Sequence, residues 1–139
     1  MVLYKNLVWI TGDIHHQSMG GGDQKALSLT GKKFSEVDLL APYLSLLDRF
    51  EITPTLFITG KAIEDESRKI EFLRNKYQID LGGHTYRAYQ PHVLWKISRR
   101  LRGSPYVSDK AQRLDIKKTK EIFNMKLGEK IQSWRNHAY

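Results

Sequence analysis

Four of the five histidines stand where the sequence predicts loops after strands. Asp13, His15 and His16 follow a short apolar run, and His84 follows a second hydrophobic segment that ends in two glycines. His137 follows a further short run near the last residue. Imidazole nitrogens and carboxylate oxygens bind divalent metal ions, and a carboxylate can also act as a general base. These residue types in this pattern indicate a metal-binding or hydrolytic centre.

Segments typical of strands and of helices alternate along the chain and would position these residues. Short apolar runs predict strands over 7–11, 55–59, 79–81 and 130–134. Apolar residues at three- and four-residue steps predict helices through 37–50, 63–77, 91–102 and 109–127. Strands separated by helices favour a parallel sheet, so we predict an α/β fold with its chemistry at the carboxyl edge of that sheet.

The helix ends carry recognisable signals. Ser35 followed by Asp38 predicts a capping box, Pro42 predicts that the first helix starts or kinks nearby, and Gly128 predicts the end of the last helix. Residues expected to face the core are Val37, Leu40, Leu44, Leu47 and Phe50 in the first helix, Ile63, Ile70, Leu73 and Tyr77 in the second, and Leu114, Ile122, Phe123 and Met125 in the last.

A single histidine in a loop is more often a structural residue than a ligand. That interpretation is favoured for His92, which lies inside a predicted helix, and it is evenly balanced for His137. For Asp13, His15 and His84 together, the metal hypothesis is stronger, because two imidazoles and a carboxylate at adjacent strand ends are a common ligand set for a divalent ion.

Four segments carry a resemblance to a known family. They read Thr-Gly-Asp-Ile-His at 11–15, Thr-Leu-Phe-Ile-Thr-Gly at 55–60, Gly-Gly-His-Thr-Tyr-Arg-Ala at 82–88 and Arg-Asn-His-Ala-Tyr at 135–139. In order and spacing they resemble the motifs of the polysaccharide deacetylases, also called NodB-homology or carbohydrate esterase 4 proteins. The resemblance implies a (β/α) barrel-like fold and a metal-dependent hydrolase that removes N- or O-acetyl groups from a carbohydrate or a small acylated substrate.

The resemblance also implies roles for individual residues. Asp13 matches the catalytic base, and Arg135 matches the arginine that keeps this base ionised and oriented. His84 matches a metal ligand, and His15 stands where the family has a metal-binding aspartate. Imidazole is an acceptable replacement there, and the metal implied is a divalent ion, most plausibly zinc.

The sequence departs from the family at the expected third ligand, where Ala88 replaces a histidine. His16 could fill this place, although adjacent residues of an extended segment point to opposite sides. Asp23 and Gln90 could also approach the metal.

Three side chains are candidates for substrate binding. They are Tyr86, His137 and Tyr139. The resemblance further implies that a backbone N–H of Ala138 or Tyr139 stabilises the oxyanion, and Trp134 could stack on a sugar ring.

The family carries further motifs that have no counterpart in this sequence. We therefore expect residues 1–139 to form a polysaccharide deacetylase-like domain that is incomplete at its C-terminus, with about four parallel strands and the closing strands missing. Its own activity is then in question. One alternative is an inactive or metal-free relative that binds glycans, and another is a hydrolase of the same fold that acts on C–N bonds of small cyclic amides.

Composition narrows the remaining classes. The chain contains no cysteine, which excludes disulfides and thiolate zinc sites, and no apolar run approaches the roughly 18 residues of a membrane span. Residues 91–139 hold 12 of the 23 basic residues but 4 of the 15 acidic ones, so the net charge of +8 is regional. A nucleic-acid partner is considered and disfavoured, because a basic helix is usually a solvated face. No membrane partner is expected, oligomerisation is possible, and without a recognisable leader the expected location is cytoplasmic.

Overall fold

The fold is built on three parallel strands. The computed structural model describes residues 8–16, 35–87, 92–103 and 108–136. Its elements are β1 (Thr11–Ile14), a 3-10 helix (Val37–Leu39), α1 (Leu40–Asp48), β2 (Thr55–Ile58), α2 (Gly60–Lys76), β3 (Asp80–Gly83), α3 (His92–Arg102) and α4 (Asp109–Leu127). The strands form one sheet in the order β1-β2-β3, which confirms the α/β class. Within the described residues this sheet is not closed into a barrel.

The register of the sheet aligns the ends of its strands. Ile14 pairs with Ile58, and Ile58 pairs with Gly83. The residues that follow these three positions therefore lie along one edge, as expected for a parallel sheet. This edge carries the residues for which the sequence predicted chemistry.

The predicted fourth strand is wrong in extent. Trp134 makes a single parallel bridge to Gly83, with hydrogen bonds from the Gly83 N–H to the Ser133 carbonyl and from the Arg135 N–H to the Gly83 carbonyl. In the part of the chain that the structure describes, this segment forms no longer ladder, because its backbone bonds to β3 all involve Gly83. The bridge nevertheless places Arg135 beside the end of β3.

The first strand lies further along the chain than predicted. It runs from Thr11 to Ile14 instead of over 7–11, so Gly12 and Asp13 are inside the strand. Val8 and Trp9 are exposed, and the ladder to β2 pairs Thr11 with its first residue. The apolar run therefore indicated a strand in this region but not the residues that pair with β2.

The capping box at the first helix is confirmed. The Ser35 N–H donates to Asp38 Oδ2 at 2.9 Å, and the Asp38 N–H donates to Ser35 Oγ at 3.1 Å. Pro42 lies in the first turn of α1, where a missing N–H costs no helical hydrogen bond. Phe50 is exposed because α1 ends at Asp48, so its predicted place in the core is wrong.

The remaining inward faces are confirmed in part. Gly128 ends α4 in the left-handed region at φ +67°. Leu114 and Met125 of α4 are exposed, contrary to prediction, because the buried stripe of this helix is confined to Thr119, Ile122 and Phe123. The core lies between the sheet and the helices; its members are Ile14, Val37, Leu40, Leu44, Leu56, Ile58, Ala62, Ile63, Ile70, Leu73, Tyr86, Ile122 and Phe123.

None of the helices in the described ranges combines the length and the apolar character that crossing a lipid bilayer requires.

Candidate functional site

An ion pair joins the two ends of the described chain at the carboxyl edge of the sheet. Arg135 Nη1 donates to Asp13 Oδ1 at 2.8 Å, and Arg135 Nη2 donates to Thr11 Oγ1 at 2.7 Å. The guanidinium also lies over the ring of Phe57, with Cζ 4.3 Å from the ring centroid. The guanidinium of Arg135 therefore donates to two residues of β1 and packs against a third residue, Phe57 of β2.

Two glycines in β3 make room for the segment that carries Arg135. A Cβ at Gly83 would collide with the ring of Trp134, and a Cβ at Gly82 would lie 2.6 Å from atoms of Phe57 and of Ser133. Both contacts are closer than side chains tolerate. The Gly-Gly pair is thus required for the segment that carries Arg135 to lie against β3.

His84 follows directly after β3 and is fully buried. Its Nδ1 lies 2.9 Å from the carbonyl oxygen of Arg135. A carbonyl can only accept, so Nδ1 carries a proton, and in the neutral ring Nε2 carries the lone pair. Nε2 lies 3.8 Å from Asp13 Oδ2. His84 is therefore oriented by the same residue that grips Asp13.

The environment of His84 favours the neutral ring. Burial lowers the pKa of His84 below its usual 6.5, although the hydrogen bond to Arg135 and the charge of Asp13 act in the opposite direction. A neutral imidazole is the form that binds metal ions and accepts protons.

His15 is held by a carboxylate that the sequence analysis did not identify. The His15 N–H donates to Glu36 Oε2 at 2.6 Å, and His15 Nδ1 lies 3.1 Å from the same oxygen. Burial opposes the ionisation of Glu36, but its hydrogen bonds to the side chain and backbone of His15 prevail and lower its pKa. No motif marked Glu36, because the contact spans 21 residues and depends on where the first helix packs.

Asp13, Arg135, His15 and His84 form the centre of the site. The rings of His15 and His84 meet edge to face, with centroids 5.3 Å apart. Four of the predicted site residues are therefore brought together from the ends of β1 and β3 and from the segment beside β3. We call these four residues the edge cluster.

Two other predicted site residues, His16 and Tyr86, lie outside the edge cluster. His16 is buried, with Nδ1 3.5 Å from Thr59 Oγ1. Tyr86 belongs to the core, its hydroxyl donates to Glu64 at 2.7 Å, and its ring faces the Lys118 ammonium. Their roles as metal ligand and substrate contact stay predictions. Residues outside the described ranges are Asp23, Ala88, Gln90, His137, Ala138 and Tyr139.

The donor set of the edge cluster fits a divalent ion in part. Each imidazole has Nδ1 engaged by an oxygen, which is how metal-binding histidines are usually oriented. Within 8–16, 35–87, 92–103 and 108–136, however, no three His, Asp or Glu side chains are close enough together to enclose a metal. The cluster therefore offers two suitable imidazoles and no complete ligand set among the described residues.

Comparison with known proteins gives structural matches alone. No family model and no curated protein matches the sequence. Among solved structures, a CE4 family pseudoenzyme from Bacillus anthracis matches with a TM-score of 0.58 and 15% identity over 94% of this chain. A mutant of the same protein with restored enzymatic activity gives 0.62 and 16% over 97%. The chain has the fold of part of a CE4 polysaccharide deacetylase domain.

Two further proteins with the CE4 fold give similar values. The Xyl-CE4 domain of a multidomain xylanase, from the hindgut metagenome of Trinervitermes trinervoides, matches with a TM-score of 0.56 and 16% identity over 92% of this chain. A putative polysaccharide deacetylase from Mycobacterium smegmatis gives 0.56 and 13% over 91%. The chain spans under half the length of these proteins, from 36% to 46%. The resemblance predicted from the four sequence motifs is thus confirmed as a likeness of fold.

Proposed function

We propose that the edge cluster hydrolyses an N- or O-acetyl group on a carbohydrate, as in polysaccharide deacetylases. The observation that carries this proposal is the salt bridge between Arg135 and Asp13 beside His84. Three groups from separate strand ends converge there, and one residue orients both of the others. The likeness to CE4 structures, among them a putative polysaccharide deacetylase, supports the same reaction class.

Asp13 is the general base of this proposal. Its Oδ1 accepts from Arg135, so Oδ2, 3.8 Å from His84 Nε2, is the oxygen that takes the proton of the attacking water. The salt bridge fixes the direction of the carboxylate without blocking this oxygen. Holding a base in place before the reaction lowers the entropic cost of reaching the transition state.

His15 and His84 are the residues that would hold a divalent metal, most plausibly zinc. Such an ion supplies a bound water with a pKa of about 7 and polarises an acyl carbonyl. What this chain contributes is the orientation of each ring by an oxygen on Nδ1, and the burial that keeps His84 neutral. His16 remains a candidate for a third ligand, along with Asp23 and Gln90.

A glycan-binding protein without activity is the second candidate. It is favoured by the absence of a complete ligand set in the described part of the chain and by the likeness to a pseudoenzyme. A C–N hydrolase of the same fold would use the same cluster on a different acyl group, and it differs from the main proposal in substrate alone.

Acetate release by the full chain tests the proposal. On N- and O-acetylated oligosaccharides with zinc present, Asp13→Asn should lower kcat about 10²- to 10⁴-fold, because the amide cannot take the proton. Asp80→Asn, at the opposite end of the sheet, is the control and should retain full activity.

Two results distinguish the candidates. Acetate release that depends on Asp13 supports the deacetylase. If the wild-type chain binds the oligosaccharides in calorimetry but releases no acetate, the glycan-binding alternative replaces it.

A further inference from the structure

His15 bonds to Glu36, which lies in the segment that leads into the 3-10 helix. One carboxylate oxygen, Oε2, lies 2.6 Å from the backbone nitrogen of His15 and 3.1 Å from its ring Nδ1, and Oε1 lies 3.3 Å from Nδ1. Glu36 therefore fixes the backbone and the ring of His15 together.

The chemistry of the pair selects one form of the ring. An ionised carboxylate can only accept, so the proton shared with Glu36 belongs to Nδ1 of His15. In the neutral ring Nε2 then carries the lone pair. A carboxylate on the far nitrogen also makes the ring a stronger donor to a metal, as in carboxylate–histidine–zinc arrangements.

Glu36 is itself held by the surrounding helices. Its neighbour Ser35 forms the capping box with Asp38 and donates from Oγ to Glu66 Oε2 of α2 at 2.7 Å. Lys69 of α2 donates to both Asp38 and Glu66. The backbone that carries Glu36 is thus tied to α2, and this support keeps the carboxylate at a fixed place relative to β1.

We infer that Glu36 is a positioning residue that presents Nε2 of His15 to a divalent cation. This inference rests on the proposed function, because it assigns a second carboxylate to the same site. It predicts that the negative charge and the hydrogen bond of Glu36 both contribute to metal affinity. Glu36 would not touch the metal itself.

The experiment combines two measurements on the full chain. Two-dimensional ¹⁵N NMR of the imidazole nitrogens reports the tautomer of His15, and calorimetry with zinc chloride reports the affinity. The variants are Glu36→Ala, Glu36→Gln and, as control, Glu64→Gln. Glu64 is a matched control, because its side chain is 34% exposed, as is that of Glu36. Glu36 bonds to the ring of His15, and Glu64 bonds to the hydroxyl group on the ring of Tyr86.

We expect the Nδ1–H form of His15 in the wild type and a mixture with the Nε2–H form in Glu36→Ala. Zinc affinity should fall about 10- to 100-fold in Glu36→Ala. It should fall less in Glu36→Gln, whose amide oxygen can still accept from Nδ1. Glu64→Gln should change neither reading. Glu36→Gln also serves where Glu36→Ala fails to fold, because it retains the size of the side chain.

The outcomes separate this inference from the proposed function. A wild-type chain that binds no zinc overturns the metal role of the site. If zinc binds to the wild type and the Glu36 variants bind it equally well, or if the neutral ring of wild-type His15 carries its proton on Nε2, the role of Glu36 is overturned while the metal site stands.

Discussion

Arg135 is the residue on which the geometry of the cluster depends. Its two terminal nitrogens reach Asp13 and Thr11 separately, and its carbonyl orients His84. Lysine donates from a single ammonium nitrogen and lacks the planar fork whose two separate nitrogens reach Asp13 and Thr11. We therefore expect Arg135→Lys to lower kcat/KM for acetate release about 10- to 100-fold, through a misdirected Asp13.

The control for this substitution is Arg74→Lys. Arg74 also pairs with a carboxylate, that of Glu129, and its side chain is 25% exposed against 26% for Arg135. Equal losses of kcat/KM in the two variants would show that arginine contributes through general stability, which would contradict the role given to Arg135.

The edge cluster was predictable from sequence and its support was not. Asp13, His15, His84 and Arg135 each lie at a recognisable strand end or motif. Glu36 carries no such signal, because a glutamate in a segment that caps a helix usually has no binding role. Its role depends on how the first helix packs on α2, and tertiary packing of this kind leaves no local pattern.

At the scale of elements, the approach of the Trp134 segment to β3 depends on Gly83. A methyl group there would collide with the ring of Trp134 and would lie 2.9 Å from Ile131. We expect Gly83→Ala to lower the free energy of unfolding by about 1–3 kcal/mol, the usual cost of overpacking. It should also weaken the Arg135–Asp13 contact and therefore the activity.

Gly12→Ala is the matched control in the same sheet. Its Cβ would lie 3.4 Å from Leu56, which is ordinary contact. Urea denaturation should show a small change for Gly12→Ala and a large one for Gly83→Ala. The reverse order would mean that the Trp134 segment does not lie against β3.

A second element-scale prediction concerns Asp115 of α4. Its carboxylate accepts the Tyr86 N–H at 2.9 Å, and burial raises its pKa above the usual 3.8, although this hydrogen bond and Lys118 act in the opposite direction. The folded state then binds the proton more tightly than the unfolded state. The stabilisation that protonation of Asp115 provides is full below pH 3.8 and is lost as the pH rises through the folded-state pKa.

Asp115→Asn removes the charge and retains an oxygen that can accept from Tyr86. It should be more stable than the wild type at pH 7, by less than about 1 kcal/mol. The difference should shrink at pH 3.5, where the raised pKa of Asp115 leaves its carboxyl in the folded wild type mostly protonated and so as uncharged as the amide of the variant. Urea midpoints at the two pH values measure this, and a variant less stable than the wild type at pH 7 would contradict it.

The elements show why sequence patterns placed helices better than strands. α4 has a serine cap, a left-handed glycine and 19 residues of helix, so its ends were predicted closely. Each strand has four residues, too few for a period to show. β1 begins at Thr11 because its pairing with β2 begins there. Among the described residues, the Trp134 segment pairs with β3 only through Gly83, so it forms a bridge and not a strand.

At the scale of the whole molecule, the edge cluster draws on distant parts of the chain. The basic region 91–139 supplies Arg135, whereas Asp13, His15 and His84 come from the part of the chain before it. The sheet binds these distant parts into one unit, since the Asp13–Arg135 contact spans 122 residues. A contact of this separation forms only when most of the fold is in place, so site geometry and global stability should be lost together.

Replacement of one buried residue in α2 tests this coupling. Ile70 is 1% exposed in the core, and Phe72, two residues away, is 62% exposed. Ile70→Ala should lower the free energy of unfolding by about 2–5 kcal/mol, and Phe72→Ala by less than about 0.5 kcal/mol. Of the three tryptophans, Trp9 lies next to β1 and Trp134 lies beside β3, so two of the fluorophores report from opposite edges of the sheet. Urea transitions followed by tryptophan fluorescence and by far-ultraviolet circular dichroism should therefore coincide in each protein. Separate transitions, or equal losses in the two variants, would show that the sheet and α2 do not form one cooperative unit.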